Sequence, residues 1–321
     1  MSKLTVKDVW KIYDVKKHGW SRSHGQKIAV RDASLTIESN KIVAIVGESG
    51  SGKSTLAKMA ACLEPVTKGL IMLDDVVVSK ETSKNSTKVI VPQEFREKAQ
   101  VIFQNPDTSL NPIVPIIKTV AEGVIKHLGK DGAVEIAEDT LIKCGISAKD
   151  FKKMPHEFSG GQKQRISIAR ALAISPQLVL CDEPTASLDV SVQSQILNLM
   201  LDLKEQNGLG YMFITHDISV AKAISDEIVV MYDGSIVEQG DTMDLFNNPK
   251  HPYTISLIES VCISHPKNRV ERPLLPGVEA KELGGCAFRQ RCPKVMEICK
   301  DEVPKLIWTQ DRCVACHLFD N

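Results

Sequence analysis

Hydrophobic positions fall along this chain in two rhythms. Over Ile28-Ala-Val-Arg-Asp-Ala-Ser-Leu-Thr-Ile37 they partly alternate, and Lys41-Ile-Val-Ala-Ile-Val46 is a short apolar run, so strands are predicted up to about residue 46. Residues 113–150 change to a helical spacing, with Ile116, Ile117, Val120, Val124 and Ile125, then Ile136, Leu141 and Ile142. A further helix is predicted from Gly160, an apolar strand at Leu178-Val-Leu-Cys181, a long amphipathic helix from about Ser191 to Lys204, and a strand at Tyr211–Thr215. Strands alternating with helices predict an α/β layered domain. The polar, aperiodic stretch Ser79–Thr87 reads as a surface loop. After about residue 246 the periodicity fades and Pro, Arg and Cys become frequent, which predicts a domain boundary.

Composition narrows the class. The 321 residues suggest two domains, and 43% hydrophobic with 25% charged residues excludes a disordered or fibrous chain. Lys+Arg and Asp+Glu are 40 each, so the basic excess of a nucleic-acid-coating protein is missing and no nucleic-acid partner is expected. No apolar run approaches the ~18 residues of a membrane helix. The first ten residues lack an apolar signal core, so the protein is predicted to be cytoplasmic, reaching a membrane only through a partner. Five of the nine cysteines (Cys286, Cys292, Cys299, Cys313 and Cys316) fall in the last 36 residues. Disulfides are rare in the cytosol, so a metal or cluster site is the first reading of that crowding.

Gly47, Glu48, Ser49, Gly50, Ser51, Gly52, Lys53 and Ser54 fit the phosphate-loop pattern G-x-x-x-x-G-K-[ST], after an apolar strand and before the helix-compatible run that starts at Thr55. Glycines let backbone N–H groups curl around phosphates, and the helix that starts there adds a positive dipole end. Lys53 is then placed to bridge the β- and γ-phosphates of ATP, and Ser54 to ligate Mg²⁺. The strand at Leu178 ends in Asp182 and Glu183: the first suits Mg²⁺, the second the polarisation of a water for attack on the γ-phosphate.

Phe158, Ser159, Gly160, Gly161, Gln162 and Lys163 open a helix just upstream of that acidic strand and resemble the signature of ATP-binding-cassette (ABC) ATPases. Gln104 after Val101-Ile-Phe, Ser187-Leu-Asp189 and His216 after Phe213-Ile-Thr follow in the family's order, and the resemblance covers residues 1–245. It implies an α/β P-loop NTPase cassette: a RecA-like core with antiparallel β and helical subdomains, the latter about 105–170, followed by a small cysteine-rich extension over 246–321. It also implies a head-to-tail dimer with ATP between the P-loop of one subunit and the signature of the other. In that scheme Ser159 and Gly161 touch the partner's γ-phosphate, Glu183 is the general base and His216 senses the γ-phosphate. Gln104 contacts Mg²⁺ and the attacking water, Asp189 crosses the dimer interface, and Tyr13 stacks on adenine.

The tail sharpens the resemblance. Gly285-Cys-Ala-Phe-Arg-Gln-Arg-Cys-Pro293, Val314-Ala-Cys-His-Leu318 and the preceding His251-Pro-Tyr-Thr254 resemble the ATPase subunits of oligopeptide, dipeptide and nickel permeases. Some members of that group bind a four-iron cluster, which here implies a [4Fe–4S] site at Cys286, Cys292, Cys299 and Cys316; zinc and plain reduced thiols stay open, and Cys313 departs from the pattern. Cys62, Cys144, Cys181 and Cys262 read as small core residues. The implied function is the ATP-hydrolysing subunit of an importer, for peptides or alternatively for nickel or another small solute. It would sit peripherally on the cytoplasmic face of the cell membrane. Its partners would be transmembrane permease subunits, a second ABC ATPase subunit (a heterodimer favoured over a homodimer) and, indirectly, an extracytoplasmic solute-binding protein. A soluble cassette ATPase unconnected with transport is the rival. Chromosome-organising cassettes carry a long coiled coil between P-loop and signature, whereas here about a hundred residues without sustained heptads separate the two.

Overall fold

A computed structural model describes residues 1–16, 24–80, 91–261, 284–309 and 312–320. Two sheets organise these residues. The first is antiparallel, in the order β2-β1-β4-β5, and is built from β1 (Lys3–Lys16), β2 (His24–Glu38), β4 (Lys68–Leu73) and β5 (Val76–Lys80). The second contains β3 (Ile42–Val46), β6 (Ala99–Ile102), β7 (Leu178–Asp182), β8 (Gly210–Ile214), β9 (Glu227–Tyr232) and β10 (Ser235–Asp241). Two short late strands, β11 (Ile307–Trp308) and β12 (Cys313–Val314), complete its order β11-β12-β10-β9-β3-β8-β7-β6. Pairing is parallel from β9 through β6 and antiparallel at β9–β10, β10–β12 and β11–β12. The central strands β3 and β8 are buried along their whole length, which is why they read as unbroken apolar runs.

Each helix follows from a local signal. α1 (Lys53–Ala60) starts where the P-loop ends and buries Leu56 and Met59 completely against the sheets. Each such side chain contributes about 1.5–3 kcal/mol of transfer free energy. After α2 (Gln93–Lys98) and the single turn α3 (Pro106–Ser109), the long α4 spans Ile116–Lys143 and is interrupted at Gly129, whose φ of 73° only a residue without Cβ adopts readily. The sequence period predicted this helix but not its break. α5 (Gly160–Leu172) begins with a reciprocal cap in which Gln162 N–H donates to Ser159 Oγ and Ser159 N–H donates to Gln162 Oε1. α6 (Val190–Asn207) and α7 (Ile218–Ile224) are capped by the carboxylates of Asp189 and Asp217.

Three apolar clusters divide the interior. One packs α4, α5 and α6 onto one face of the large sheet, and one lies between the antiparallel sheet, α1 and the large sheet. The third carries Tyr253, Ile258 and Phe288 and joins the tail to the core. α8 (Thr242–Asn247), α9 (Pro252–Val261) and α10 (Ile298–Asp301) belong to this end of the fold. The tail is knitted into the cassette, because β12 pairs with β10 through Glu238↔Val314 and Gln239↔Cys313. Arg312, 2% exposed, faces the fully buried Glu238 at 3.5 Å and donates to the Asp244 carbonyl at 3.0 Å. Residues 81–87 of the predicted loop and Cys262 lie outside the described residues, while Ser79 and Lys80 end β5. Among the described residues no helix is long and apolar enough to cross a membrane.

Candidate active site

The strand order explains how distant motifs meet. β3, β8, β7 and β6 are adjacent and parallel, so the segments leaving their carboxyl ends gather along one rim, where open α/β sheets bind their ligands. The P-loop leaves β3, His216 follows β8, Asp182 and Glu183 end β7, and Gln104 follows β6. A cavity of about 980 Å³ opens there, lined by Ser49, Gly50, the run Gly52–Thr55, Gln104, Glu183 and His216. Tyr13 also lines it, with its hydroxyl donating to Glu64 Oε2 at 2.5 Å. Gly47 cannot carry a side chain, since a Cβ there would lie 2.1 Å from the Met231 carbonyl oxygen.

Inside this rim the polar groups are matched. Ser54 Oγ donates to Asp182 Oδ1 at 2.9 Å. Burial raises the pKa of Asp182, the largest of several effects, and the Ser54 bond works against that rise. Lys53 is 4% exposed, and its Nζ donates to the carbonyls of Gly47 and Glu48 at 2.7 and 2.9 Å. Burial lowers its pKa, while the charges of Glu183, Asp182 and Glu48 pull the other way. Glu183 Oε2 accepts from Gln104 Nε2 at 3.3 Å and lies 3.1 Å from His216 Nδ1. The Glu183 backbone has φ 48°, a left-handed conformation that costs a glutamate of order 1–3 kcal/mol and is held here by its N–H donating to the Ile214 carbonyl. A lysine among backbone amides, a hydroxyl–carboxylate pair and a carboxylate between an amide and an imidazole can hold a triphosphate and direct a water at its terminal phosphorus.

The signature residues stand apart from this cavity. Ser159, Gly160, Gly161 and Gln162 form the first turn of α5, and a Cβ on Gly161 would meet Val192 Cγ1 at 2.3 Å. Asp189 is likewise engaged locally, with its Oδ1 accepting from Val192 N–H at 2.9 Å and Ser191 Oγ at 2.7 Å. The motif reading missed two contributors. Lys27 and Arg31 of β2 line the cavity wall, and no spacing in the sequence marks them, because they sit in an ordinary strand pattern. Glu48 is bound on its outer side by Arg291 and Tyr253, from more than two hundred residues away.

The tail cysteines lend the expected cluster no support. Among the described residues, no group of three or more His, Cys, Asp or Glu side chains is placed to hold a metal ion, and the expected [4Fe–4S] site at Cys286, Cys292, Cys299 and Cys316 gains no support from this arrangement. Burial pushes the thiols of Cys286 and Cys292 up and that of Cys316 up to about 11. Cys316 nonetheless lies within electrostatic reach of Cys286, Cys292 and Cys299, whereas the Cys313 thiol bonds to Gln239 instead. The fifth cysteine thus has its own place, on the strand that joins the tail to the sheet.

A P-loop on the central strand of a parallel sheet, facing a pair of carboxylates two strands away, defines a P-loop nucleoside triphosphatase. Two family descriptions match the chain: ABC transporter over residues 30–186, and Oligopeptide/dipeptide transporter, C-terminal region, over residues 237–299. A Di/tripeptide transport ATP-binding protein DppF of Pseudomonas aeruginosa is 38% identical over 98% of this chain and 97% of its own. The Oligopeptide transport ATP-binding protein AppF of Bacillus subtilis is 37% identical over 98% and 97%. Among solved structures, the ATP-binding cassette MJ0796 dimer bound to ADP and Pi is 29% identical, with TM-score 0.62 over 74% of this chain and 98% of that one. CbiO1 from Clostridium perfringens, part of the transporter complex cbiONQ, is 25% identical with TM-score 0.63 over 82% and 96%. The chain belongs to the ABC transporter family of ATP-binding subunits, in its oligopeptide/dipeptide branch, and it is an ATPase.

Proposed function

We propose that this subunit hydrolyses ATP at the cytoplasmic face of the membrane to drive uptake of di- and oligopeptides through separate transmembrane permease subunits. The observation that carries this reading is the union of a complete hydrolytic rim (Lys53, Ser54, Asp182, Glu183, His216 and Gln104) with the peptide-transporter type of tail. Two cassettes would face each other, a heterodimer being favoured, so that Ser159 and Gly161 of one chain close over the nucleotide of the other. The cavity as it stands, without any signature residue, supports that arrangement. An extracytoplasmic binding protein would deliver the solute.

The chemistry follows from the residues. The Ser54 hydroxyl and Asp182 carboxylate are hard oxygen donors 2.9 Å apart and fit Mg²⁺, which when bound would neutralise charge between phosphates. Lys53 exchanges its two carbonyl partners for phosphate oxygens. Glu183 accepts the proton of the attacking water, His216 holds that carboxylate from one side, and Gln104 holds it from the other. Tyr13 offers a ring for adenine at the cavity mouth. No step passes through the cysteines.

Co-purification with membrane partners, then ATPase assays in the presence of peptides or nickel, tests the reading. Stimulation by di- or oligopeptides with their binding protein is the expected result. Stimulation by nickel alone, or recovery without any membrane protein, would replace it.

A further inference from the structure

The P-loop is gripped from outside by the carboxy-terminal segment. Arg291 Nη1 and Nη2 donate to the two carboxylate oxygens of Glu48, both at 2.9 Å, across 243 residues of sequence. The guanidinium lies 5.8 Å from the Tyr232 ring centre and 5.7 Å from that of Phe288. The Tyr253 hydroxyl accepts from the Glu48 N–H at 2.9 Å, and its ring lies 4.7 Å from Tyr232 and 5.5 Å from Phe288. On its inner side, the Glu48 carbonyl accepts from Lys53 Nζ at 2.9 Å. One residue therefore has its carboxylate bound by the tail, its N–H by α9 and its C=O by the phosphate lysine.

We propose that Arg291 is a positioning residue of the ATPase reaction, holding Glu48 so that Lys53 meets the phosphates from a fixed place, and thereby linking the tail to the nucleotide site. A bidentate guanidinium–carboxylate pair fixes orientation as well as distance, which a single ammonium contact does not. The flanking aromatic faces hold the fork before it binds. The pair also neutralises a carboxylate on the loop that must accept a polyanion. Arg291 and Glu48 are 38% and 46% exposed, so the pair adds little to overall stability. Its effect is concentrated in the geometry of the loop.

The proposal rests on Lys53 being the phosphate ligand, and the experiment separates the two ideas. The full chain is titrated with Mg·ATP carrying a fluorescent ribose label, for wild type, Arg291→Met, Arg291→Lys, Glu48→Gln, the Arg291→Met/Glu48→Gln pair and Lys53→Ala, with the Tm of each recorded. Arg291→Met and Glu48→Gln are each expected to raise Kd about fivefold, the scale of a half-exposed charged pair. The double variant should be no weaker than the weaker single, Arg291→Lys should recover only part of the loss, and Tm should stay near wild type. In steady-state assays of the assembled transporter the KM for ATP should rise and kcat should hold. An unchanged Kd in Arg291→Met, full recovery in Arg291→Lys, effects that multiply in the double variant, or a loss that only tracks a fall in Tm would overturn the positioning role. Unchanged binding in Lys53→Ala would instead overturn the phosphate site.

Discussion

Acidification should loosen this fold through one imidazole. His251 is 1% exposed, its Nδ1 accepts from the Tyr253 N–H at 3.0 Å, and its backbone N–H donates to the Glu238 carboxylate at 2.9 Å. Burial holds its pKa down to about 4, against an ordinary 6.5. Protonation would also cost the ring its acceptor role. Between those two values the unfolded chain binds a proton that the folded chain refuses, so stability is complete above pH 6.5 and declines as pH falls towards 4. At ~1.4 kcal/mol per pH unit the full interval amounts to about 3 kcal/mol, of which about 2 kcal/mol is gone by pH 5. Urea unfolding of wild type and His251→Gln at pH 7, 6 and 5 checks this. The variant is expected to start less stable, having lost packing against Phe288, but to decline less steeply by about 2 kcal/mol between pH 7 and 5. Parallel declines would refute the assignment of the acid sensitivity to His251.

Two further substitutions probe the catalytic rim. Glu183→Gln keeps the hydrogen bonds to Gln104 and His216 within reach but cannot take a proton, so ATP turnover should fall at least about a hundredfold while ATP-bound dimers accumulate; phosphate release at the wild-type rate would remove Glu183 as the base. Gly47→Ala places a methyl group 2.1 Å from a backbone oxygen of β9, so nucleotide binding should be lost with destabilisation of about 1–3 kcal/mol, and equilibrium binding with a melting curve would show both.

Much of this architecture is local and therefore readable in the residues. The P-loop announces itself because glycines, lysine and hydroxyl must stand at fixed spacing, and the strands flanking it are apolar throughout because the sheet is covered on both faces. Asp182 and Glu183 are legible for the same reason, standing together at the end of one apolar strand. What escaped the sequence are contacts made across long separations by short or irregular pieces. β12 has two residues and no period to detect, yet it decides that the tail joins the large sheet. Arg291 sits in a loop among cysteines, where neighbouring residue types suggested metal chemistry, and nothing local points it at Glu48. Gly129 breaks α4 by its backbone angle alone, leaving the apolar spacing on either side intact. The cysteine pattern is legible only in part for a related reason: spacing shows which thiols can meet, as Cys286, Cys292, Cys299 and Cys316 do, but not what they hold.

The pairing of β12 with β10 also bears on how the protein is made. As the chain emerges from the ribosome, the outer edge of β10 is available about 75 residues before the strand that covers it. At roughly 5–20 residues per second this leaves the edge open for on the order of 4–15 s. An unpaired edge is a template for any passing strand, including the same edge on a neighbouring nascent chain. For that interval the edge is open to misassembly, and premature termination between Asp241 and Cys313 would leave it without β12.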